Sequence, residues 1–148
     1  MLTLNQLRKY LVDFFESHYQ INTVVYADDF DFSAKADVLY KVAHIQPVDP
    51  VVINSNEILN RFKITIGDIE DPNNPDSENE IWSDCISITN DFVSYFGNDD
   101  FEDFYIDKTI NIQRFSESNT DRVAGVVFAF NIRQTRLNNP CTLPVAEA

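Results

Sequence analysis

From Val126 onward the residues alternate strictly: Val126, Phe128, Phe130 and Ile132 fall to one side, Val127, Ala129, Asn131 and Arg133 to the other. That period of two predicts a strand with one strongly apolar face and one mixed face. Such a strand suits a sheet covered by helices on one side only. Gly125 stands at its entrance, where a bulge or a close backbone approach is the usual reason for glycine. After Thr135 the pattern stops, and Arg136 to Ala148 is expected to leave as an irregular tail that buries little by itself. A second long alternation runs from Glu57 to Asp68, with Phe62, Ile64 and Ile66 opposed to Arg61, Lys63 and Thr65. Thr23 to Tyr26 predicts a short strand. Val38 to Gln46 predicts another, stopped by Pro47 and Pro50, with a short pairing segment at Val51 to Ile53. His44 lies in it as a half-buried sheet residue. Phe104 to Phe115, clearest at Ile110 and Ile112, supplies a further strand that turns through 116–121.

Two stretches follow helical spacing instead. Leu4, Leu7, Leu11, Phe14 and Phe15 recur every three or four residues, with Asn5, Arg8, Lys9, Asp13 and Glu16 opposite them and Thr3 as N-cap. This helix fades near Tyr19, leaving His18 as a surface group near its negative end. A second helix is expected from Glu80 to Phe96, with a stripe of Ile81, Cys85, Ile88, Phe92 and Phe96 widened by Trp82, Ile86 and Val93. Glu78 and Glu80 favour its start, and Gly97 its stop. Between the third strand and this helix, Asp68 to Asn79 carries every local loop signal. The resulting order predicts an α+β fold: a mainly antiparallel sheet of four to five strands, two amphipathic helices packed on one face, and an extended C-terminal tail. The domain spans 1–135 and the tail 136–148.

Charge narrows the function classes. The chain has 24 acidic and 11 basic residues, a formal charge of −13, which repels phosphates and argues against specific DNA or RNA binding. With 3 glycines there is little material for a phosphate-cradling loop. No apolar run approaches the ~20 residues of a bilayer span, and no signal peptide is expected. Without export, Cys85 and Cys141 are expected as free thiols, Cys85 as a small buried hydrophobe of the helical stripe. Asp28, Asp29 and Asp31 could suggest calcium, but the loop lacks the glycine and the closing glutamate of an EF-hand. Neither histidine stands in a nucleophile or metal pattern, and G-x-S-x-G, P-loop, H-E-x-x-H and C-x-x-C motifs are absent. The expectation is a protein that is not an enzyme and holds no cofactor or metal.

The arrangement as a whole resembles a known group. An L-x-x-L helix is followed by QINTVVYADDFDF (20–32), an acidic loop, IWSDCISITNDFVSYF (81–96) and the closing DRVAGVVFAFNIRQTRLNNPCTLP (121–144). This is similar to the small tail-terminator-like or ring proteins that complete the neck or tail of tailed bacteriophages, especially crAss-like and other Bacteroidetes phages. The resemblance implies a structural virion protein of the neck or tail, assembled in the host cytoplasm as a homo-oligomeric ring. DNA would pass through without specific binding, and no membrane would be involved. Partners would be further copies of the chain and the neighbouring neck or tail ring, portal or tail proteins. Contact residues would lie in the loop, at Asp71, Asn73, Asn74 and Asp76, and in the tail, at Arg136, Leu137, Cys141 and Leu143. The competing expectation is an acidic binding module such as a DNA-mimic inhibitor. Its acids should form one patch, whereas here they fall in three separate turns, 28–31, 68–80 and 99–107.

Overall fold

The computed structural model describes residues 2–28, 39–97, 103–117 and 122–136. It begins with α1 (Leu4–Ser17), started by a capping box in which Thr3 Oγ1 accepts from the Gln6 N–H and the Gln6 side chain accepts from the Thr3 N–H. β1 (Thr23–Tyr26), β2 (Val42–Ile53) and β3 (Glu57–Ile69) follow, then α2 (Ser77–Phe96), β4 (Tyr105–Ile106), β5 (Ile112–Glu117) and β6 (Val123–Thr135). The fold is α+β, as the alternation implied. The strands form one sheet in the order β1-β2-β3-β6-β4, with β5 also on β6. All pairings are antiparallel except β1 with β2, so the sheet is mixed at one edge.

Both helices lie on the same face, because the apolar sets of β3 and β6 share it. The register places Phe62 opposite Phe130, Ile64 opposite Phe128 and Ile66 opposite Val126. Against them pack Leu7, Leu11 and Phe15 of α1 and Ile81, Cys85, Ile88, Phe92 and Phe96 of α2, all buried. Phe92 is the hub: its ring centroid lies 5.7 Å from Phe15, 5.5 Å from Phe128 and 5.1 Å from Phe130, joining both helices to β6. Gln134 continues the covered face of β6. Its buried amide accepts from the Leu2 N–H at 2.7 Å and donates to the Leu2 carbonyl, pinning the entry of α1 to the end of β6.

Five boundaries differ from the alternation reading: β2 begins at Val42, with Leu39 to Lys41 outside the strand, and the other four differ for local reasons. β2 runs straight through Pro47 and Pro50. β1 pairs only with Val42 to Ile45, so beyond them the outer edge of β2 has no partner strand among the described residues. A proline there costs no ladder bond, and the shift in pairing between Val48 and Val52 absorbs the second one. The expected strand over 104–115 is two pieces along the same edge of β6. Between them the ladder breaks, and Asp107 Oδ2 accepts from the Asn131 N–H at 2.9 Å in place of a backbone carbonyl. α2 starts one turn earlier than expected, at Ser77, whose Oγ accepts from the Asp71 N–H. β6 begins at Val123, so Gly125 sits within it, facing Gly67 of β3.

Candidate interaction surfaces

The sheet face away from the helices is uncovered along its middle. It carries Arg61 and Lys63 of β3, with Gln46 and Val48 of β2 on one side and Ala129 and Asn131 of β6 on the other. Both cations are exposed, and neither has an ion-pair partner among the described residues. Among the described side chains the carboxylates with an ion-pair partner on this face are Glu57 and Asp107, toward one end, and Asp107 also accepts from the Asn131 amide at 3.3 Å. There Arg133 lies 3.7 Å from Glu57 Oε1 and 3.5 Å from Asp107 Oδ1, and the Tyr105 hydroxyl donates to Glu57 Oε2 at 2.9 Å. That hydrogen bond to the Glu57 carboxylate, first among the causes, raises the Tyr105 pKa. Arg133 is thus neutralised locally. Arg61 and Lys63 are not.

The tip of the β2–β3 hairpin is apolar and open. Val51, Val52 and Ile53 are 52%, 43% and 62% exposed, a consecutive apolar run at the free edge. Arg136 emerges beside it: its N–H donates to the Asn56 carbonyl at 2.8 Å and its guanidinium to the Asn54 carbonyl at 2.6 Å.

The expected loop contacts sit at the other end of β3. Asp71, Asn73, Asn74 and Asp76 fold into a compact entrance to α2. Asp71 Oδ1 accepts from the Asn73 N–H at 2.9 Å, Asn74 Oδ1 from the Asp76 N–H at 3.0 Å, and the Asn74 amide donates to Glu80 Oε2. The Asn74 side chain is therefore committed to shaping the turn, while Asn73 gives it only a backbone N–H. The Asp76 side chain makes no capping hydrogen bond, and Asp71, Asp76 and Glu80 are exposed. Twelve strand steps, about 40 Å of chain, separate Ile69 from Glu57. The loop and Arg136, grouped as contact residues from the sequence, thus occupy opposite poles. Leu137, Cys141 and Leu143, with most of the expected tail, lie outside the described residues, as do Asp29 and Asp31.

The other singled-out side chains have structural tasks. The Cys85 thiol is buried under β3, its Sγ 3.7 Å from the Ile66 carbonyl, and burial pushes its pKa up to about 12. It is no nucleophile at neutral pH. His44 is buried rather than half-buried, its Nε2 2.7 Å from the Ala27 carbonyl. His18 is the C-cap of α1 and bridges to Asp91 of α2 at 2.8 Å.

Glu70 is a buried carboxyl that periodicity could not single out within an acidic loop. Its Oε2 lies 3.1 Å from Arg122 Nε, and its N–H donates to the Arg122 carbonyl. Burial raises its pKa, a hydrogen bond with the Glu78 carboxyl raises it further, and Arg122 opposes both. A raised value in the folded state means that the fold holds this proton more tightly than the unfolded chain does. Its contribution is full below the ordinary glutamate range and is lost as pH rises through the raised value. Glu70→Gln, which mimics the protonated form, is expected to be more stable than wild type at neutral pH, the difference closing as the pH falls to the ordinary glutamate range. Denaturant titrations at several pH values check this, and a difference that widens on acidification would contradict it.

The geometry is that of a two-layer α+β domain with contact-capable surfaces at separate places and a core devoted to packing. No protein-family model matches the chain, and no curated protein matches it. Alternation already places Arg61 and Lys63 on the side opposite the core, whereas the exposure of the Val51–Ile53 run depends on the open edge of β2 and leaves no mark in the sequence.

Proposed function

We propose that the protein is a structural component of a phage virion, forming a homo-oligomeric ring in the neck or tail around the DNA passage. The observation that supports this most is the open apolar tip of the β2–β3 hairpin, Val51 to Ile53. Three consecutive exposed apolar side chains at a free strand end are costly to leave in water and favour a protein contact. The adjacent edge carries Pro47, Pro50 and a register shift, which hinder uncontrolled strand addition. The tip therefore suits a defined side-chain contact. The opposite pole is polar and acidic, so the two ends of the sheet offer unlike surfaces to a second copy. Contacts between unlike surfaces are heterologous, and such contacts close into rings when the rotation per copy allows. A negative surface also suits a passage in which phosphates must slide without being held. Negative-stain images of the purified protein at high concentration test this: annular particles with a central channel are expected, and a field of uniform small monomers would contradict it.

A further inference from the structure

We infer that the open sheet face centred on Arg61 and Lys63 is a docking surface for a second copy of this chain, which presents to it the acidic entrance of its α2, at Asp71, Asp76 and Glu80. This rests on the self-assembly reading above and names the surfaces that meet.

The argument is one of charge placement. Most described cations are engaged within the fold: Lys41 with Asp84, Arg122 with Glu70, Arg133 with Glu57 and Asp107. The Arg8 guanidinium lies over the Tyr26 ring and that of Arg114 over Trp82. Arg61 and Lys63 share with Lys9 and Lys108 the lack of an ion-pair partner among the described residues, and of these four they are the two that stand together on one strand. Two residues apart on one strand, they project to the same side, and their neighbours across the strands are Val48, Gln46, Asn131 and Ala129, none of them acidic. Two cations without an ion-pair partner among the described residues, on the open sheet face of a chain with charge −13, form a local positive island.

An anionic partner fits such an island, and a second copy supplies one. At the α2 entrance the Asp76 carboxylate makes no capping hydrogen bond, and Asp71 in the loop and Glu80 in the first turn, which accept from Asn73 and Asn74, are exposed. The island and the entrance do not overlap, since one lies on the bare face of the sheet and the other at its Ile69 end leading into the helical layer. Each copy can therefore give one surface and receive with the other, as a heterologous contact requires. At about 0.15 M salt, screening over about 8 Å weakens the mutual repulsion of the two net charges more than it weakens pairs in direct contact. A nucleic-acid occupant is disfavoured, because two cations do not offset the repulsion between phosphates and the remaining surface.

The test uses charge reversal and its reciprocal. R61E/K63E and D76K/E80K are each checked for folding by circular dichroism, then weighed in solution alone and as an equimolar mixture beside wild type. The milder R61Q/K63Q serves if the reversed face does not fold. Wild type is expected to assemble, each variant alone to associate at least about tenfold more weakly, and the mixture to recover assembly because reversed face then meets reversed entrance. A folded R61E/K63E or R61Q/K63Q that assembles like wild type overturns this interface and leaves the ring reading standing. A mixture that stays monomeric overturns the pairing of these two surfaces. Wild type that is monomeric throughout overturns both readings. Capture of a DNA duplex by wild type, lost in R61E/K63E, would overturn the second copy as occupant in favour of nucleic acid.

Discussion

Phe128→Asp is expected to yield no folded, soluble protein. Phe128 is 2% exposed at the centre of β6, opposite Ile64 and 5.5 Å from the Phe92 ring. The substitution forfeits about 2 to 3 kcal/mol of apolar burial. It also places a carboxylate among the aromatic rings of the core, at a cost of several kcal/mol more. A domain of this kind has about 5 to 15 kcal/mol in all. Phe128→Leu separates charge from shape: it keeps the site apolar and is expected to fold with a loss of about 1 to 2 kcal/mol. Solubility and far-ultraviolet circular dichroism check both, and a Phe128→Asp protein with native stability would show that this face of β6 is not the core.

Gly125→Ala is expected to be nearly as severe, although it adds one carbon. A Cβ at Gly125 would lie 1.9 Å from the Ile66 carbonyl oxygen and 2.9 Å from the Gly67 Cα. Both obstacles are backbone of β3, which is held between β2 and β6 and cannot move aside without breaking one of those ladders. The expected loss is about 3 kcal/mol or more, a fall in Tm of about 10 °C for a chain of this size. A thermal melt within about 2 °C of wild type would mean that β3 and β6 do not approach so closely at this point.

Both results bear on what the sequence could carry. Gly125 and the alternation beside it were legible because strand faces and close approaches leave marks on consecutive residues. The same holds for Thr3 at its cap and for the stripes of α1 and α2. Features that depend on a distant partner were not legible. Whether Pro47 and Pro50 stop a strand depends on whether another strand lies outside it, and β1 ends its pairing at Ile45. The gap between β4 and β5 depends on Asp107 reaching Asn131, 24 residues further on. The parallel pairing of β1 with β2 leaves no signature in a four-residue strand. For the interaction surfaces, Asp71 and Arg136 were chosen as loop and tail residues, and only the fold places them at opposite poles. Arg61 and Lys63 looked like an ordinary solvated face. They stand out once most other cations are seen to be engaged, since of the four described cations without a partner these two alone share one strand face.

The central claim is that copies of this chain meet through unlike surfaces and close on themselves. The mass of the purified protein in solution, followed from about 1 μM to about 1 mM by light scattering, tests it most directly, since that range covers association free energies from about −8 to about −4 kcal/mol. A single discrete species at a fixed multiple of the 17.1 kDa chain, replacing monomer as the concentration rises, is the predicted result. A 17.1 kDa monomer across the whole range would contradict the account and favour an acidic module that binds an unlike partner.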